Sequence, residues 1–384
     1  MQSLSYCEKQ MMKLKKREKI KIRMGEFFSG PGGFALGAQW ASKRKPITIQ
    51  HKWAVELDAD SCQTYAHNIL KAKVDITHLP SQVMCRRVET VRIKKLPGID
   101  LFAFGFPCND FSQVGKKAGT RGKFGPLYEW GAKVIDLKKP KVFVAENVGG
   151  LRSANDGKAL DQILDRLSNA GPGYTLYVHY YKFELYGVPQ RRHRIVIVGV
   201  RGKNNANSGY QIPRPIPKEA PTASQALRGI RPGNDGLPNN EIPRFSEQVR
   251  RRLEYIKPGE NAWNSDIKSP ELRLNVKGAR LSNIYRRLKP NEPSYTVTGS
   301  GGGGTHIYHW KEPRPLNNRE RAALQSFPKD YLFVGNLNSV RKQIGMAVPP
   351  RAAERIFDSI FKTVFLGKKL KSSIMPSIGK ILPR

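Results

Sequence analysis

Short apolar runs recur through the first half of the chain and alternate with segments of helical periodicity. Between Arg23 and Val200 the runs that predict strands are MGEFFS at 24–29, WAVEL at 53–57, DLFAF at 100–104, KVFVAEN at 141–147 and RIVIVGV at 194–200. Strands that alternate with helices are typical of crossover connections around a parallel sheet. The pattern therefore predicts an α/β fold, in which ligands bind at the carboxyl ends of the strands.

The pattern changes after Arg201. From there to about Asn291 prolines and glycines recur, as in PRPIPKEAP and RPGNDGLP, and long periodic segments are scarce. This composition predicts a second, smaller and loop-rich domain. A helical pattern resumes at Arg351, and the chain ends in a basic tail that we expect to be disordered.

A run of glycines, GSGGGG, ends at Gly304. Glycine lacks a side chain, so such a run serves either as a flexible linker or as a loop that a ligand approaches closely. Composition alone favours the linker.

The charge of the chain is its most unusual global property. It has 67 Lys plus Arg against 31 Asp plus Glu, a formal net charge of +36. A surplus of this size indicates a polyanionic partner such as nucleic acid. An anionic membrane surface would also suit the charge, but no run of about 18 apolar residues is long enough to span a bilayer. The basic N-terminus lacks the apolar core of a secretory signal, so we expect a cytoplasmic, nucleoid-associated protein.

Cysteine and histidine spacing does not indicate a metal site. The four cysteines, at 7, 62, 85 and 108, form no CxxC pair, and a disulfide framework is not indicated either. His306 and His309 form an HxxH pair without a third ligand nearby. We therefore expect no bound metal.

A glycine-rich turn follows the first predicted strand, in EFFSGPGGFALGAQWA from Glu26 to Ala41. A turn of this kind brings bare backbone and a helix N-terminus close to a ligand, which suits a nucleotide-like cofactor. The spacing G-P-G-G departs from GxGxxG, which makes a pyrophosphate less suitable. Glu56 ends the next strand, where an acid can accept hydrogen bonds from both ribose hydroxyls; the alternative is an ordinary solvated acid.

Two further predicted strands are followed by, or end in, residues that can take part in catalysis. In FGFPCNDFS, Cys108 follows a strand end and a proline that stiffens the loop; a free cysteine is otherwise usually a small buried hydrophobe. In AENVGGL, Glu146 ends another strand at the same edge, with Asn147 to fix the loop. A thiol and a carboxyl group brought together there can act as nucleophile and acid.

A pair of arginines begins the last strand of this region, in QRRHRIVIVG. Alternate residues of an extended segment point the same way, so Arg192 and Arg194 share a face. They offer donors to a phosphate or to the edge of a base, although a basic strand start is also common without such a role.

Taken in order, these motifs resemble those of the DNA (cytosine-5) methyltransferases, from about Met24 to Phe361. FSGPGG resembles the cofactor loop, GFPCNDFS the nucleophile loop, AENV the glutamate motif and QRRHR the paired-arginine motif. RLKPNEPSYTVTGSGGGG, and RPLNNRERAALQSFP with RKQIGMAVPP, resemble the last two motifs. Six matches in the usual order are far more specific than any one of them.

The resemblance implies a Rossmann-like methyltransferase sheet with a smaller target-recognition domain, and S-adenosylmethionine as the cofactor. It implies that Cys108 is the nucleophile, that Glu146 holds the cytosine, and that Arg192 and Arg194 contact the base and orient the thiolate. The implied cofactor residues are Phe28, Gly30, Gly33, Glu56 on the ribose, Asp75 and Ile76 at the adenine, Gly105, Pro107 and Val348. The family usually has Asn where this chain has Met346, which removes an expected polar contact.

The resemblance also implies a domain division and a biological setting. We expect a basic extension at 1–23, a catalytic domain at 24–200, a target-recognition domain at 201–339 that includes the Gly-rich loop, a helix at 340–366 that completes the catalytic domain, and a basic tail at 367–384. The expected protein is a stand-alone bacterial enzyme of the restriction–modification kind. It would act as a monomer on a short specific sequence in double-stranded DNA, with a cognate restriction endonuclease as a possible partner.

Two alternatives stay open at this point. One is a tRNA cytosine-5 methyltransferase of the same family, which the single proline before Cys108 disfavours because Phe106 stands where those enzymes usually have another proline. The other is an inactive relative that binds DNA, which the intact Cys108, Glu146 and Arg192 disfavour.

Overall fold

A computed structural model describes residues 19–75, 77–106, 127–202, 209–216, 219–233, 235–275, 282–301 and 303–381. The strands of this part of the chain are β1 (Ile20–Phe27), β2 (Ile47–Glu56), β3 (Val83–Cys85), β4 (Leu101–Gly105), β5 (Val142–Val148), β6 (Tyr174–Lys182), β7 (His193–Arg201), β8 (Ile212–Pro213), β9 (Ser373–Ile374) and β10 (Gly379–Ile381). The helices are α1 (Gly33–Ser42), α2 (Ala59–Leu70), α3 (Leu127–Lys138), α4 (Lys158–Ser168), α5 (Ala223–Leu227), α6 (Glu247–Tyr255), α7 (Asn318–Leu324), α8 (Leu337–Met346) and α9 (Pro350–Ile360).

The main sheet has the order β10-β6-β7-β5-β4-β1-β2-β3. The strands from β3 through β2, β1 and β4 to β5 are parallel, which confirms the predicted α/β class. The sheet is mostly and not entirely parallel, because β7 pairs antiparallel with both β5 and β6. The short link between β6 and β7 contains a single 3₁₀ turn, Phe183–Tyr186, and a direct return of this kind forces antiparallel pairing.

The antiparallel direction of β7 has a consequence for the functional residues. Arg194, at the start of β7, lies opposite Val148, at the end of β5. The paired-arginine segment therefore reaches the carboxyl edge of the parallel strands, although it begins a strand instead of ending one.

Apolar side chains bury both faces of the sheet. On one face Phe102, Phe104 and Phe143 pack with α3 and α4. On the other face α1 and α9 cover the sheet, and the rings of Phe34 and Phe357 meet edge to face with centroids 5.9 Å apart. This arrangement fixes both ends of α1 relative to the sheet.

Two more clusters organise the second half of the chain. One joins α2 to α7 and α8 through residues such as Tyr65, Leu324 and Ile344. The other is a separate small core around α6, formed by Leu253, Ile256, Ala262, Ile267, Leu272, Tyr285 and Tyr308. Tyr210 and Ile212 belong to the sheet's own core, so the packing continues across the predicted boundary at residue 201.

The segment near the C-terminus pairs with the rest of the protein. β9 pairs with β8, and β10 extends the main sheet by pairing antiparallel with β6. The expectation of a disordered tail is therefore wrong for these strands. Within the described residues, no helix has both the length and the apolar character needed to cross a bilayer.

Candidate active site

The turn after β1 brings bare backbone against the C-terminal half of the chain. Phe28 and Gly30 have φ values of 54° and 52°, and Gly32, which precedes α1, has 96°. Glycine adopts this left-handed region without strain, whereas Phe28 does so at a cost of about 1–3 kcal/mol. A Cβ on Gly33 would lie 2.1 Å from the carbonyl oxygen of Val348. Only glycine therefore allows α1 to begin so close to Val348.

Glu56, at the end of β2, holds this turn in place. Its carboxylate accepts hydrogen bonds from the amides of Gly30 at 2.8 Å, Leu57 at 2.8 Å and Asp58 at 3.0 Å. Burial raises the pKa of Glu56, while these amide donors act in the opposite direction. The turn and the end of β2 thus form one hydrogen-bonded unit.

Glu146 and Arg194 form an ion pair at the carboxyl edge of the sheet. Arg194 Nε lies 2.9 Å from Glu146 Oε1, and the side chains are 13% and 12% exposed. The contact is not aligned as a hydrogen bond, so this buried oxygen has no hydrogen-bond partner among the residues that the structure describes. Glu146 Oε2 lies on the side of Gly105, at 3.4 Å from the position of a Cβ there. A planar ligand with donors could therefore use this carboxylate.

Asn147 ties the end of β5 to the end of β4. Its buried side chain donates from Nδ2 to the carbonyl of Phe106 at 3.3 Å and accepts from the amide of Val148 at 2.8 Å. Phe106 is the last described residue before the cysteine loop, so Asn147 holds the main chain at the point where that loop begins. Pro107 and Cys108 themselves lie outside the described residues.

Arg192 is fully enclosed and holds two distant segments together. Its guanidinium donates to the carbonyls of Val297 at 3.2 Å and Ala347 at 3.1 Å, while its Nε has no partner. Burial and the neighbouring Arg194 lower the pKa of Arg192. Gln190 also bonds this region, since its Oε1 accepts from the amide of Val297 at 2.8 Å.

One cavity of about 890 Å³ joins these features. Its volume lies within the range of roughly 300–1,000 Å³ that small-molecule and cofactor sites occupy. The predicted residues that line it are Phe28, Gly30, Gly33, Glu56, Gly105, Glu146, Arg192, Arg194 and Val348. Both arginines line the cavity, with Arg192 just before β7 and Arg194 within it.

Asp75 does not line this cavity. It bonds instead to its neighbours Thr77 and His78, which lower its pKa to about 2. The cavity wall is formed by the segment from Arg86 to Glu89, which directly follows β3. β3 has only three residues, and so short an apolar run gave no signal that a strand ended there; Ile76 lies outside the described residues.

The Gly-rich run is not a linker at the positions described. A Cβ on Gly345, in α8, would lie 2.0 Å from the amide nitrogen of Gly299, and one on Gly304 would lie 2.5 Å from the ring of Tyr285. The glycines therefore permit close packing between main-chain segments. Thr296, Val297, Thr298 and Gly299 also line the cavity, a role that composition alone did not reveal.

Comparison with known proteins shows the family of the chain. A model of the family of C-5 cytosine-specific DNA methylases matches residues 22–362. The chain belongs to this family. As a member of the C-5 cytosine-specific DNA methylases, it is a DNA (cytosine-5-)-methyltransferase.

Two relatives and one solved structure illustrate the similarity. The chain is 52% identical to the Type II methyltransferase M.BbvI of Brevibacillus brevis, over 90% of this chain and 92% of the relative. It is 39% identical to the Type II methyltransferase M.NgoFVII of Neisseria gonorrhoeae, over 88% and 86%. Its fold is similar to that of a crystal structure described as a prophage-encoded DNA modification methyltransferase from E. coli. That match has a TM-score of 0.64 and 21% identity, and it covers 90% of this chain and 99% of the other.

Met346 is the visible departure from the pattern of these methylases. It ends α8 with 63% of its surface exposed and lines the cavity beside Gly299. An apolar thioether therefore lies at the rim of the cavity, where the sequence resemblance led to the expectation of an amide.

Proposed function

We propose that this cavity binds S-adenosylmethionine and a flipped-out cytosine, and that the protein methylates carbon 5 of cytosine within a short sequence of double-stranded DNA. The observation that carries the proposal is that the Glu146–Arg194 pair and the turn bonded to Glu56 line the same cavity. A base-binding carboxylate and a nucleotide-binding turn are thus open to one another.

The cavity fits the cofactor chemically. Within the described residues, Ser29 Oγ is buried in its wall without a hydrogen-bond partner, and Glu56 is a half-buried carboxylate that accepts from backbone amides. A nucleoside with a ribose diol supplies donors and acceptors for such groups. When bound, the cofactor supplies an electrophilic methyl group on a sulfonium. We assign the adenine side to the wall from Arg86 to Val88, since Asp75 lies away from it.

The residues at the edge of the sheet account for the activation of cytosine. Carbon 5 is a weak nucleophile until the thiolate of Cys108 adds to carbon 6, which places electron density on carbon 5. Glu146, when protonated, hydrogen-bonds ring nitrogen 3, and it accepts a bond from the exocyclic amino group, so charge that develops on the ring is stabilised. After methylation, carbon 5 loses its proton to water, and the carbon–sulfur bond to Cys108 breaks to restore the thiolate.

The two arginines have different proposed roles. Arg194 keeps the carboxyl group of Glu146 in place and contacts the base. Arg192 is held by carbonyls of two other segments, so we assign it to positioning the wall that carries Val297 and Ala347. Both cations favour a thiolate over a thiol nearby, which increases the nucleophilicity available at neutral pH.

A base stacked in a duplex cannot be reached from both faces, so the target must be flipped into the cavity. We propose that the small core around α6 belongs to the part that reads the DNA sequence. The relatives carry the names of Type II methyltransferases. We therefore place this protein in a restriction–modification system, acting as a monomer beside a cognate endonuclease of the same target sequence.

The test compares the wild type with Glu146→Gln and Cys108→Ala on a library of random duplexes. 5-Methylcytosine is measured in the hydrolysed DNA by mass spectrometry. The wild type should form it, Cys108→Ala should form none, and Glu146→Gln should lose about 10²-fold or more of the rate with little change in cofactor affinity. Glu354→Gln, which removes a carboxylate paired with Arg351 on α9, is the matched control and should retain the wild-type rate.

DNA binding without product in the wild type would contradict the proposal and support an inactive relative. An unchanged rate in Glu146→Gln would remove the role assigned to that carboxyl group alone.

A further inference from the structure

Three basic side chains meet beside the Gly-rich run, outside the residues used in the mechanism above. Arg321 of α7, Arg341 of α8 and His306 form this arginine cluster. Arg321 Nη2 lies 3.2 Å from His306 Nδ1. A Cβ on Gly301 would lie 3.4 Å from Arg341 Nε and 3.5 Å from His306 Nδ1, so both side chains flank the same glycine.

The cluster has no carboxylate of its own within the described part of the chain. Arg321, only 2% exposed, donates to His306 and, at 3.4 Å, to the carbonyl of Leu316. Arg341 donates from Nη2 to the neutral amide of Asn338, and its buried Nε has no partner. By contrast, the nearby Arg314 is bonded by both Glu312 and Glu320, so the acid closest to Arg321 is already in use.

Charge and burial make this arrangement unfavourable without an anion. Burial lowers the pKa of Arg321 to about 10, with the charge of Arg341 adding to the effect. Burial and the two arginines lower the pKa of His306 to about 4, so its imidazole is neutral at physiological pH. Its Nδ1 accepts from Arg321, which leaves Nε2 as a donor. The cluster thus offers donors and positive charge and lacks a negative group.

The cluster adjoins the mouth of the catalytic cavity. Gly299 lines the cavity two residues before Gly301, and Lys342 lines it next to Arg341 on α8. A nucleotide rotated into the cavity stays joined to the strand through its phosphates, so these must lie close to the mouth. Guanidinium groups bind phosphate oxygens with two parallel hydrogen bonds.

We propose that the arginine cluster binds one phosphate of the DNA backbone beside the flipped nucleotide. This inference rests on the proposed function for the source of the phosphate. Arg341 makes the contact, because its guanidinium is bonded only to a neutral amide among the described residues and its side chain is the more accessible of the two arginines. Arg321 and His306 lie behind it and position its guanidinium.

The test uses Arg341→Met, which removes the charge and keeps a long side chain. The matched control is Arg44→Met, since Arg44 is exposed just beyond the end of α1, at the opposite edge of the sheet. DNA affinity is measured against salt concentration on a duplex that the wild type methylates. Arg341→Met should lower the slope of log K against log salt by about 0.9, the value for one lost phosphate contact. Arg44→Met should leave it unchanged.

Arg341→Lys should restore most of the slope, because the charge remains. The KM for DNA should rise in Arg341→Met, while cofactor affinity should equal that of the wild type. A merely structural role for Arg341 would lower cofactor affinity or thermal stability and leave the salt slope unaltered. An unaltered slope overturns the proposal.

Inorganic phosphate separates the anion site from its assignment to DNA. At fixed ionic strength, phosphate in place of chloride should raise the Tm of the wild type and not that of Arg341→Met. If phosphate stabilises the wild type but the salt slope for DNA is the same in Arg341→Met, the site takes free phosphate and the assignment to DNA is overturned. If the wild type methylates no duplex, the proposed function fails by itself. The phosphate measurement then still decides the anion site, and no stabilisation would overturn it.

Discussion

Glu26 is a buried carboxyl group on β1, two residues before the glycine-rich turn begins at Phe28. Its Oε1 accepts a hydrogen bond from the hydroxyl of Tyr65 at 2.5 Å and lies 3.9 Å from His51 Nδ1, while its Oε2 has no partner. Burial raises the pKa of Glu26 to about 8 and lowers the pKa of His51 to about 4. Both groups are therefore neutral in the folded protein at pH 7, so Glu26, Tyr65 and His51 form an uncharged network.

This raised pKa predicts that the protein loses stability as the pH rises from about 4.5 to about 8. Between about pH 4.5 and 8 the unfolded chain has Glu26 ionised while the folded protein keeps the proton, so the free energy of unfolding falls as the pH rises. His51 has the opposite effect, but only between about pH 4 and 6.5. From pH 6.5 to 8 the contribution of Glu26 therefore approaches about 1.4 kcal/mol per pH unit. Urea unfolding gives the free energy of unfolding of the wild type and of Glu26→Gln at each pH in this range. The difference between the two proteins should change with pH, and a constant difference would contradict the assignment.

Asn147 is the described residue that connects the glutamate strand to the cysteine loop. Asn147→Ala would leave the carbonyl of Phe106 without its side-chain donor and free the stem of the loop. We expect kcat to fall by at least 10-fold with an unchanged KM for the cofactor, because the proposed nucleophile Cys108 follows directly after this stem and depends on it for its position. Asn169→Ala, on an exposed helix end, is the control. Steady-state kinetics that show equal kcat values for the two variants would sink this role.

At the scale of elements, α8 depends on a close contact that only glycine allows. Gly345→Ala would place a Cβ 2.0 Å from the amide nitrogen of Gly299 and force α8 away from the Gly-rich segment. Overpacking of this kind costs about 1–3 kcal/mol, and it would also displace Ala347 from Arg192. Thermal unfolding should therefore show a lower Tm than the wild type.

The control for this prediction is Gly98→Ala. The position meets only the tip of Arg23 at 3.5 Å, so an added methyl group has room. Equal Tm values for the two variants would contradict the close packing of α8.

The sequence predicts those elements whose signal is local. Glu56 and Glu146 lie at the cavity because each stands at the end of a strand that a strong apolar run marks. Arg194 lies there because it stands at the start of such a strand. β6 was missed although YTLYVHYYK is rich in aromatic and β-branched residues, and without it β7 could not be recognised as antiparallel. The direction of β7 depends on pairing between strands, which the apolar run of β7 itself does not encode.

Contacts between distant segments likewise could not be predicted from the sequence. The cavity wall after β3 depends on a three-residue strand, and the packing of the Gly-rich run depends on α8, more than 40 residues away. Composition alone therefore favoured a linker at the Gly-rich run, and the motif pattern placed the adenine contact at Asp75. Tertiary packing determines both the contacts of the Gly-rich run and the position of Asp75 relative to the cavity.

At the scale of the whole molecule, the surplus of positive charge should govern the binding of DNA. The 31 acidic residues cannot balance the 67 Lys and Arg residues, so a formal net charge of +36 remains. Affinity for DNA should therefore fall steeply with salt, by about 10³-fold or more between 50 and 200 mM if six or more phosphates are contacted. Cofactor affinity should change little over the same range. Fluorescence anisotropy with labelled duplex measures the first, and a salt-independent affinity would contradict an electrostatic grip.

In the proposed reaction, Cys108 attacks carbon 6 of a cytosine that Glu146 and Arg194 hold. The most direct measurement is to mix the protein and S-adenosylmethionine with random duplexes that contain 5-fluorocytosine. Fluorine cannot leave carbon 5 as a proton does, so the bond between protein and base should persist through denaturation. The wild type should form a covalent complex, and Cys108→Ala should form none. The trapped DNA should share a short common sequence. A trapped complex with tRNA alone, or methylation without any trapped complex, would contradict the proposed reaction.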